Sequence, residues 1–514
     1  MKSYIIIAVV LVLLLSVFVF QQINLTTADI GRHITNGKLF INAGSFEISR
    51  QALLHTNFFS FTYSNFPFIN HHWGSGLLSY LVFLGFGFKG LSIMYGGLII
   101  ASVLLFFGLW KNKLSIWVSF PIILFLIPLI AERTEVRPEG LSYFFMAIVI
   151  AILYLYTSNQ IQKKWLYWIP IISLIWVNTH IYFIFLPFFV GMFLIETFLH
   201  KDSEKIKNLA IVFGLSVLVL CINPYGFTGV FYPFTMFQNY GYLIVENQSI
   251  PFLINLHVSN PNFLWWQIAT LVFIVSSFFV LRKDKSKFPI ALFGITFVFA
   301  ILSFFGIRHL TAYSLTLLPT LLCYGYLLYQ KPKNESCRLL HSVFSIVFSL
   351  IILLSIFINF NNRLPWNTYW GIGLQPNVNA SADFVKNLNI SGPIFSNYDI
   401  GGYIIFHMYP QEKVFVDNRP ETYPTDFFQK EYIPMQNDDL VWNEELKKWD
   451  FNMIWFNRND LTPWAQQFLI TRVKDPVWAP VFVDDYTIIF LKRNEKNAKV
   501  IKQYELPKSM FTIK

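Results

Sequence analysis

The run Thr26-Thr27-Ala28-Asp29-Ile30-Gly31-Arg32-His33 sets a carboxylate and an imidazole one helical turn apart, just beyond a long apolar stretch. Further polar clusters interrupt apolar sequence: Asn70-His71-His72-Trp73-Gly74, Glu132-Arg133-Thr134-Glu135-Val136-Arg137-Pro138-Glu139, Trp176-Val177-Asn178-Thr179-His180, Asn223-Pro224-Tyr225-Gly226, Glu246-Asn247-Gln248 and Arg308-His309. Ionisable groups beside apolar runs are costly, so those retained there point to function. The set suits transfer of a sugar from an anionic polyprenyl-phosphate donor. The phosphate calls for arginines, which grip it through paired hydrogen bonds, and Arg133, Arg137 and Arg308 are the candidates. An acceptor hydroxyl needs a carboxylate to take its proton while sugar–phosphate cleavage develops oxocarbenium character, and Asp29 is the expected catalytic group. His33, His72, Glu139, His180, Glu246 and His309 complete the expected substrate-binding set.

Each residue has a plainer alternative. Asp29 could cap a helix starting at Ile30. His33 could make a structural hydrogen bond, orient Asp29, or hold a metal with it. On a helix the adjacent His71 and His72 cannot share one face, which argues against a two-histidine metal site. Arg133, Arg137 and Glu139 could anchor a helix end, with Glu132 and Glu135 as partners of the arginines. Asn178-Thr179-His180 could be a helix break that satisfies its own backbone. For Glu246 and Arg308-His309 the alternative is interhelical pairing.

The elements that must position these residues are membrane helices. Of 514 residues, 55% are hydrophobic, 19% aromatic and 13% charged, too apolar for an ordinary soluble chain. The net charge of +10 fits lysines held on the cytoplasmic side rather than nucleic-acid binding, for which no motif or basic groove is present. Cys221, Cys323 and Cys337 are widely spaced, giving neither a disulfide framework nor a zinc pattern. The run Tyr4–Phe20 lacks a convincing cleavage site and reads as a retained first span. Ten more apolar runs, at 91–109, 114–130, 141–157, 165–178, 181–199, 208–222, 262–281, 288–306, 309–329 and 339–360, predict about eleven spans. The short stretch 74–88 is expected to lie in the interface. This count gathers Lys2, Lys111, Lys113, Lys163, Lys164, Lys201, Lys205, Lys207, Arg282, Lys283, Lys285, Lys287, Lys331, Lys333 and Arg338 on the cytoplasmic side, leaves only Arg133, Arg137 and Arg308 in the opposite short loops, and finds no Lys or Arg in 223–261.

From Arg363 onward charges rise and Pro365, Pro376, Pro393 and Pro410 punctuate short segments. Strand-like runs at 394–396, 414–416, 453–455 and 486–491 alternate with helix-like runs near 380–389, 400–408, 425–434, 438–448 and 463–471, predicting a small α/β layer. The expected fold is thus an all-α polytopic membrane bundle followed by a small soluble α/β domain. The expected domains are 1–361, a transmembrane module including the long external loop 21–90, and 362–514, a soluble external domain.

The order of these features resembles the GT-C superfamily of integral membrane glycosyltransferases, which includes protein mannosyltransferases, lipid A aminoarabinose transferases and oligosaccharyltransferases. Local patterns resemble the RgtA/B/C/D-like group: Asp29-x-x-x-His33-x-x-x-Gly37, His72-Trp73, Arg137-Pro138, Trp176-x-Asn178-x-His180, Asn223-Pro224-Tyr225-Gly226, Arg308-His309, Asn397-Tyr398-Asp399-Ile400-Gly401-Gly402-Tyr403 and Val416-Asp417-Asn418-Arg419. The resemblance implies that Asp29 is the catalytic or metal-associated acid and that transfer inverts the anomeric carbon. A second acid is usual in the next external loop. Here Glu132, Glu135 and Glu139 stand without an Asp, which leaves the cofactor open, with a divalent cation as the candidate. Arg32 stands where the resembling sequences favour an aromatic.

The expected partners are a bilayer, a polyprenyl-phosphate sugar donor and a glycan, lipid or protein acceptor, with no nucleic acid. The expected setting is a bacterial cytoplasmic membrane, with the N-terminus inside and the C-terminal region in the periplasm. The competing functions are a transporter or flippase for lipid-linked glycans and a non-catalytic scaffold for envelope assembly. A transporter would favour internal repeats and broken helices in matching halves, and neither is seen.

Overall fold

The computed structural model describes residues 2–43, 49–236, 240–329, 335–361 and 370–511. Pro365, Lys331, Lys333, the expected domain boundary after 361 and the side chains of Lys2, Cys337 and Arg338 lie outside the described residues. Packing groups the chain into two compact units, Met1–Gln21 with Ser92–Val230 and Ile244–Ile372, and Gln22–Leu91 with Phe231–Leu243 and Gly373–Lys514. The long first loop thus groups with the C-terminal region rather than with the helices that follow it in sequence.

Among the described residues five helices are long and apolar enough to cross a membrane: Trp73–Trp110, Glu139–Thr157, Ile181–Leu199, Asn262–Lys283 and Ile307–Leu328. Shorter apolar helices occupy Ile5–Val19, Ile116–Ile130, Ile290–Phe305 and Ser342–Ile358. The expected count of about eleven is met by these elements only in part. The run 165–178, for example, is divided into a 3-10 turn, Lys163–Tyr167, and a short helix, Trp168–Val177.

The stretch 74–88 does not stand apart from the run after it. Both lie within Trp73–Trp110, which breaks at Gly87, where φ is 60° and ψ is −159°. Nothing lies within 4 Å of a Cβ built there, so glycine is required by backbone conformation rather than by space.

The first unit packs helix on helix. Ile307–Leu328 is deeply enclosed, and its polar side chains are spent on neighbours. Thr320 and Thr296 share a hydrogen bond of 2.7 Å, and Thr296 donates to the Thr316 carbonyl at 3.0 Å. In an apolar medium such bonds satisfy hydroxyls and hold helices in register.

The second unit contains a four-stranded sheet. β1 (Ile394–Ser396), β2 (Met453–Asn457), β3 (Trp478–Val483) and β4 (Thr487–Lys492) lie in the order β1-β2-β4-β3. β1 and β2 are parallel, and the other neighbours are antiparallel. Helices follow the expected runs, among them Ala380–Asn387, Gly401–Met408, Asp439–Trp449 and Ala465–Lys474. The predicted strand at 414–416 is not one, because Val414 makes only an isolated bridge with Ser60 of the first loop. β3, which carries Pro480, was not predicted. It pairs through one edge only, where a proline's missing N–H is tolerated.

An aromatic core fills this unit around Phe395, Trp442, Phe451, Phe468 and Trp478, with Phe61 and Tyr63 of the first loop packed against it. Helix Ile30–Ile41 meets the start of Trp73–Trp110 at Gly37, where a Cβ would fall 2.2 Å from the Gly76 carbonyl oxygen. Only two glycines allow that approach.

Trp442→Ala should cost about 3–5 kcal/mol, as large aromatic deletions from cores do. Amide hydrogen exchange in β1 and β2 should then accelerate by about two to three orders of magnitude, while Ile307–Leu328 keeps its protection. Unchanged exchange in the sheet would show that the aromatic cluster is not its core.

Candidate functional site

Within the first unit the local fold gathers seven of the expected residues. Helix Ile116–Ile130 ends before Arg133, and Thr311 from Ile307–Leu328 ties off that end. The Thr311 hydroxyl donates to the Leu129 carbonyl at 3.1 Å and accepts from the Arg133 backbone N–H at 3.1 Å. Glu139 then opens helix Glu139–Thr157 after Pro138, where a carboxylate is favoured by the helix dipole.

Arg133 donates through Nη1 to Glu246 at 2.6 Å and through Nη2 to Glu139 at 3.0 Å. Arg137 Nη1 reaches the same Glu246 oxygen at 3.1 Å. Arg308 stands 3.6 Å from Glu139 and donates to Asn247 at 2.9 Å. Burial opposes the charge of Arg133, but Glu246 and Glu139 together outweigh it and raise its pKa. Burial likewise opposes ionised Glu246, and Arg133 and Arg137 overcome it, holding the carboxyl well below the usual range. The arginines are therefore not bare phosphate clamps, as the sequence suggested, because glutamates already brace them. Three guanidiniums thus gather around Glu139 and Glu246.

His180 closes this cluster. Its Nδ1 accepts from the Tyr182 backbone N–H and shares a 2.7 Å bond with Ser142, whose oxygen accepts from the Trp176 indole at 2.7 Å. Nε2 therefore carries the proton and faces Glu139 at 4.0 Å. Burial pushes the imidazole down to about 4 despite Glu139. His309 Nδ1 shares a 2.7 Å bond with the Tyr182 hydroxyl. Asn178 stays structural, donating to the Leu174 and Ile222 carbonyls, as the helix-break reading expected. Glu132 accepts from Asn260 and Asn262 at the start of helix Asn262–Lys283.

The second unit brings together Asp29, His33 and His72. Asp29 occupies the N-cap position of Ile30–Ile41, yet its side chain makes no capping bond. It instead accepts a short hydrogen bond from Asn418 Nδ2 and lies 3.7 Å from Arg32. Its side chain is 20% exposed, whereas Arg32 is buried. His33 and His72 meet edge to face, with ring centroids 5.4 Å apart. His71 and His72 occupy a turn before Trp73, not a helix, so their rings do come together, at 3.8 Å. Even so, among the described residues no group of three His, Cys, Asp or Glu side chains is placed to hold a metal.

Asn418 and its neighbours are the functional candidates that the charge pattern missed. Asp417 and Arg419 form a buried two-bond ion pair at 2.8 and 2.6 Å, and Asn57 accepts from Arg419 at 2.9 Å. Gly401 makes room for this turn, since a Cβ there would fall 2.4 Å from the Asp417 Cα and 2.6 Å from the Val416 carbonyl oxygen. The available signal was the Val416-Asp417-Asn418-Arg419 pattern itself.

No family model matches the chain, and no curated protein does. A solved structure, the archaeal oligosaccharyltransferase AglB from Archaeoglobus fulgidus in complex with an inhibitory peptide and a dolichol-phosphate, is similar with a TM-score of 0.62. The identity is 11%, over 98% of this chain and 75% of that one. This likeness shows the fold, and the apolar helices mark an integral membrane protein.

Arg133→Met should destabilise the first unit by about 1–3 kcal/mol, because Glu139 and Glu246 each lose a charge-assisted hydrogen bond and keep only Arg308 and Arg137. Adding Glu246→Gln should recover part of the loss in thermal unfolding in detergent. An unchanged melting point in the single variant would show that the pair is not buried. His180 contributes a pH dependence. Its folded pKa lies below the unfolded 6.5, so the unfolded state takes the proton first and stability falls as pH drops from 6.5 toward about 4. His180→Asn should flatten the melting-point profile in that window.

Proposed function

We propose that the chain is a glycosyltransferase that moves a sugar from a polyprenyl-phosphate-linked donor to a glycan, lipid or protein acceptor on the non-cytoplasmic side of a bacterial cytoplasmic membrane. The observation that carries this reading is the state of Asp29. Its carboxylate sits at a helix N-terminus without serving as a cap and is held instead by an amide beside a guanidinium. In a GT-C fold that is a group kept for chemistry. The similar archaeal enzyme is described with a dolichol-phosphate and a peptide, which supports a lipid-linked donor here.

In this reading Asp29 takes the proton of the acceptor hydroxyl as its oxygen bonds to the anomeric carbon. The bond from that carbon to the phosphate oxygen breaks, and its electron pair leaves with the lipid phosphate. Attack from the face opposite the leaving group inverts the anomeric centre. Arg133, Arg137 and Arg308 are the proposed donors to the lipid phosphate, with Glu139 and Glu246 bracing the guanidiniums. His180 and His309 lie at the edge of that cluster, and His33 and His72, whose rings meet edge to face, are the proposed sugar or acceptor contacts.

The test is transfer of radiolabelled sugar from a panel of polyprenyl-phosphate donors in proteoliposomes, comparing the natural chain with Asp29→Asn at matched folding. The variant should lose activity by about 10²–10⁴-fold. Equal transfer by both would remove Asp29 from the mechanism.

A further inference from the structure

We propose that Asn418 is the positioning residue of the Asp29 carboxylate, so that the turn 416–419 near the C-terminal sheet supplies part of the active site. This rests on the transferase reading above. Asn418 Nδ2 donates to Asp29 Oδ1, and Asn418 Oδ1 accepts from Arg32 Nε at 3.2 Å. A guanidinium Nε can only donate, so Arg32 decides which way the amide faces, and the amide nitrogen must point at Asp29.

Arg32 follows Asp29 by three residues and forms a loose ion pair with it, Nη2 lying 3.7 Å from the carboxylate, while its Nε bonds to Asn418. A neutral amide thus fixes the orientation of the carboxylate beside that guanidinium.

Asn418 is itself held from both sides. Its neighbours Asp417 and Arg419 are locked in the buried ion pair, and the Arg419 guanidinium lies over the rings of Phe59 and Phe68. Gly402 faces the amide, with a built Cβ 3.5 Å from Nδ2. A side chain held this firmly, between a base and a cation, is placed for geometry.

Asn418→Leu keeps the approximate volume and removes both hydrogen bonds. In proteoliposomes it should lower kcat by about 10–100-fold, as small misplacements of a catalytic group do, with donor KM changed less than about twofold. Asn418→Gln, which keeps the amide, should recover part of kcat. Asn452→Ala, which removes a buried amide elsewhere in the same unit, is the control for destabilisation. A second readout needs no turnover: carbodiimide labelling of Asp29, followed by peptide mass spectrometry, should rise several-fold in Asn418→Leu and not in Asn452→Ala. Full kcat in Asn418→Leu while Asp29→Asn is inactive would overturn the inference and leave the transferase reading standing. Losses matched by Asn452→Ala at equal melting point would reduce Asn418 to a structural role. If the natural chain transfers nothing, the transferase reading falls, and unchanged Asp29 labelling in Asn418→Leu would then overturn the positioning as well.

Discussion

Gly401 has no side chain because the backbone of Val416 and Asp417 occupies the place where one would be. This close approach brings the turn 416–419 against helix Gly401–Met408 and sets the rest of the second unit's polar centre. Helix Ile30–Ile41 packs against the same element at Gly31, where a Cβ would stand 3.0 Å from the Gly402 carbonyl oxygen. Two segments nearly four hundred positions apart in the chain, at Asp29 and Asn418, become hydrogen-bonded neighbours for that reason. The buried Asp417–Arg419 pair then keeps the turn in one conformation, which suits a site that must be oriented before substrate arrives.

The first unit is governed by a different constraint, the cost of charge away from water. Burying Arg133 is tolerable only because Glu139 and Glu246 lie within hydrogen-bond range, and Glu246 is in turn held ionised by Arg133 and Arg137. In such a network Arg133, Glu139 and Glu246 are each held by more than one neighbour. The neutral His180, bonded through Ser142 to Trp176, extends the network without adding charge.

The sequence by itself determined the class of molecule, because a chain so rich in apolar residues cannot dissolve as an ordinary globular protein and its polar clusters must sit at helix ends. It also indicated the helices around the sheet and three of the four strands, since these depend on local alternation and turn residues. It did not reveal β3, whose Pro480 argues locally against a strand, nor the fate of 414–416, whose apolar run is absorbed by a bridge to Ser60. Span count also suffered, because length and hydropathy cannot say where a helix will break into shorter pieces, as 165–178 does.

For the site, residue type sufficed to pick out Asp29, the three arginines, Glu139, Glu246 and the histidines, since charge beside apolar sequence is conspicuous. Only the tertiary structure decided their partners. Asp29 was freed from capping by Asn418, the arginines were braced by glutamates, and His71 and His72 were brought together by a turn. Hydrogen-bond partners depend on distances between segments far apart in sequence, and these are set by where glycines permit backbones to touch and where buried charge must find its opposite.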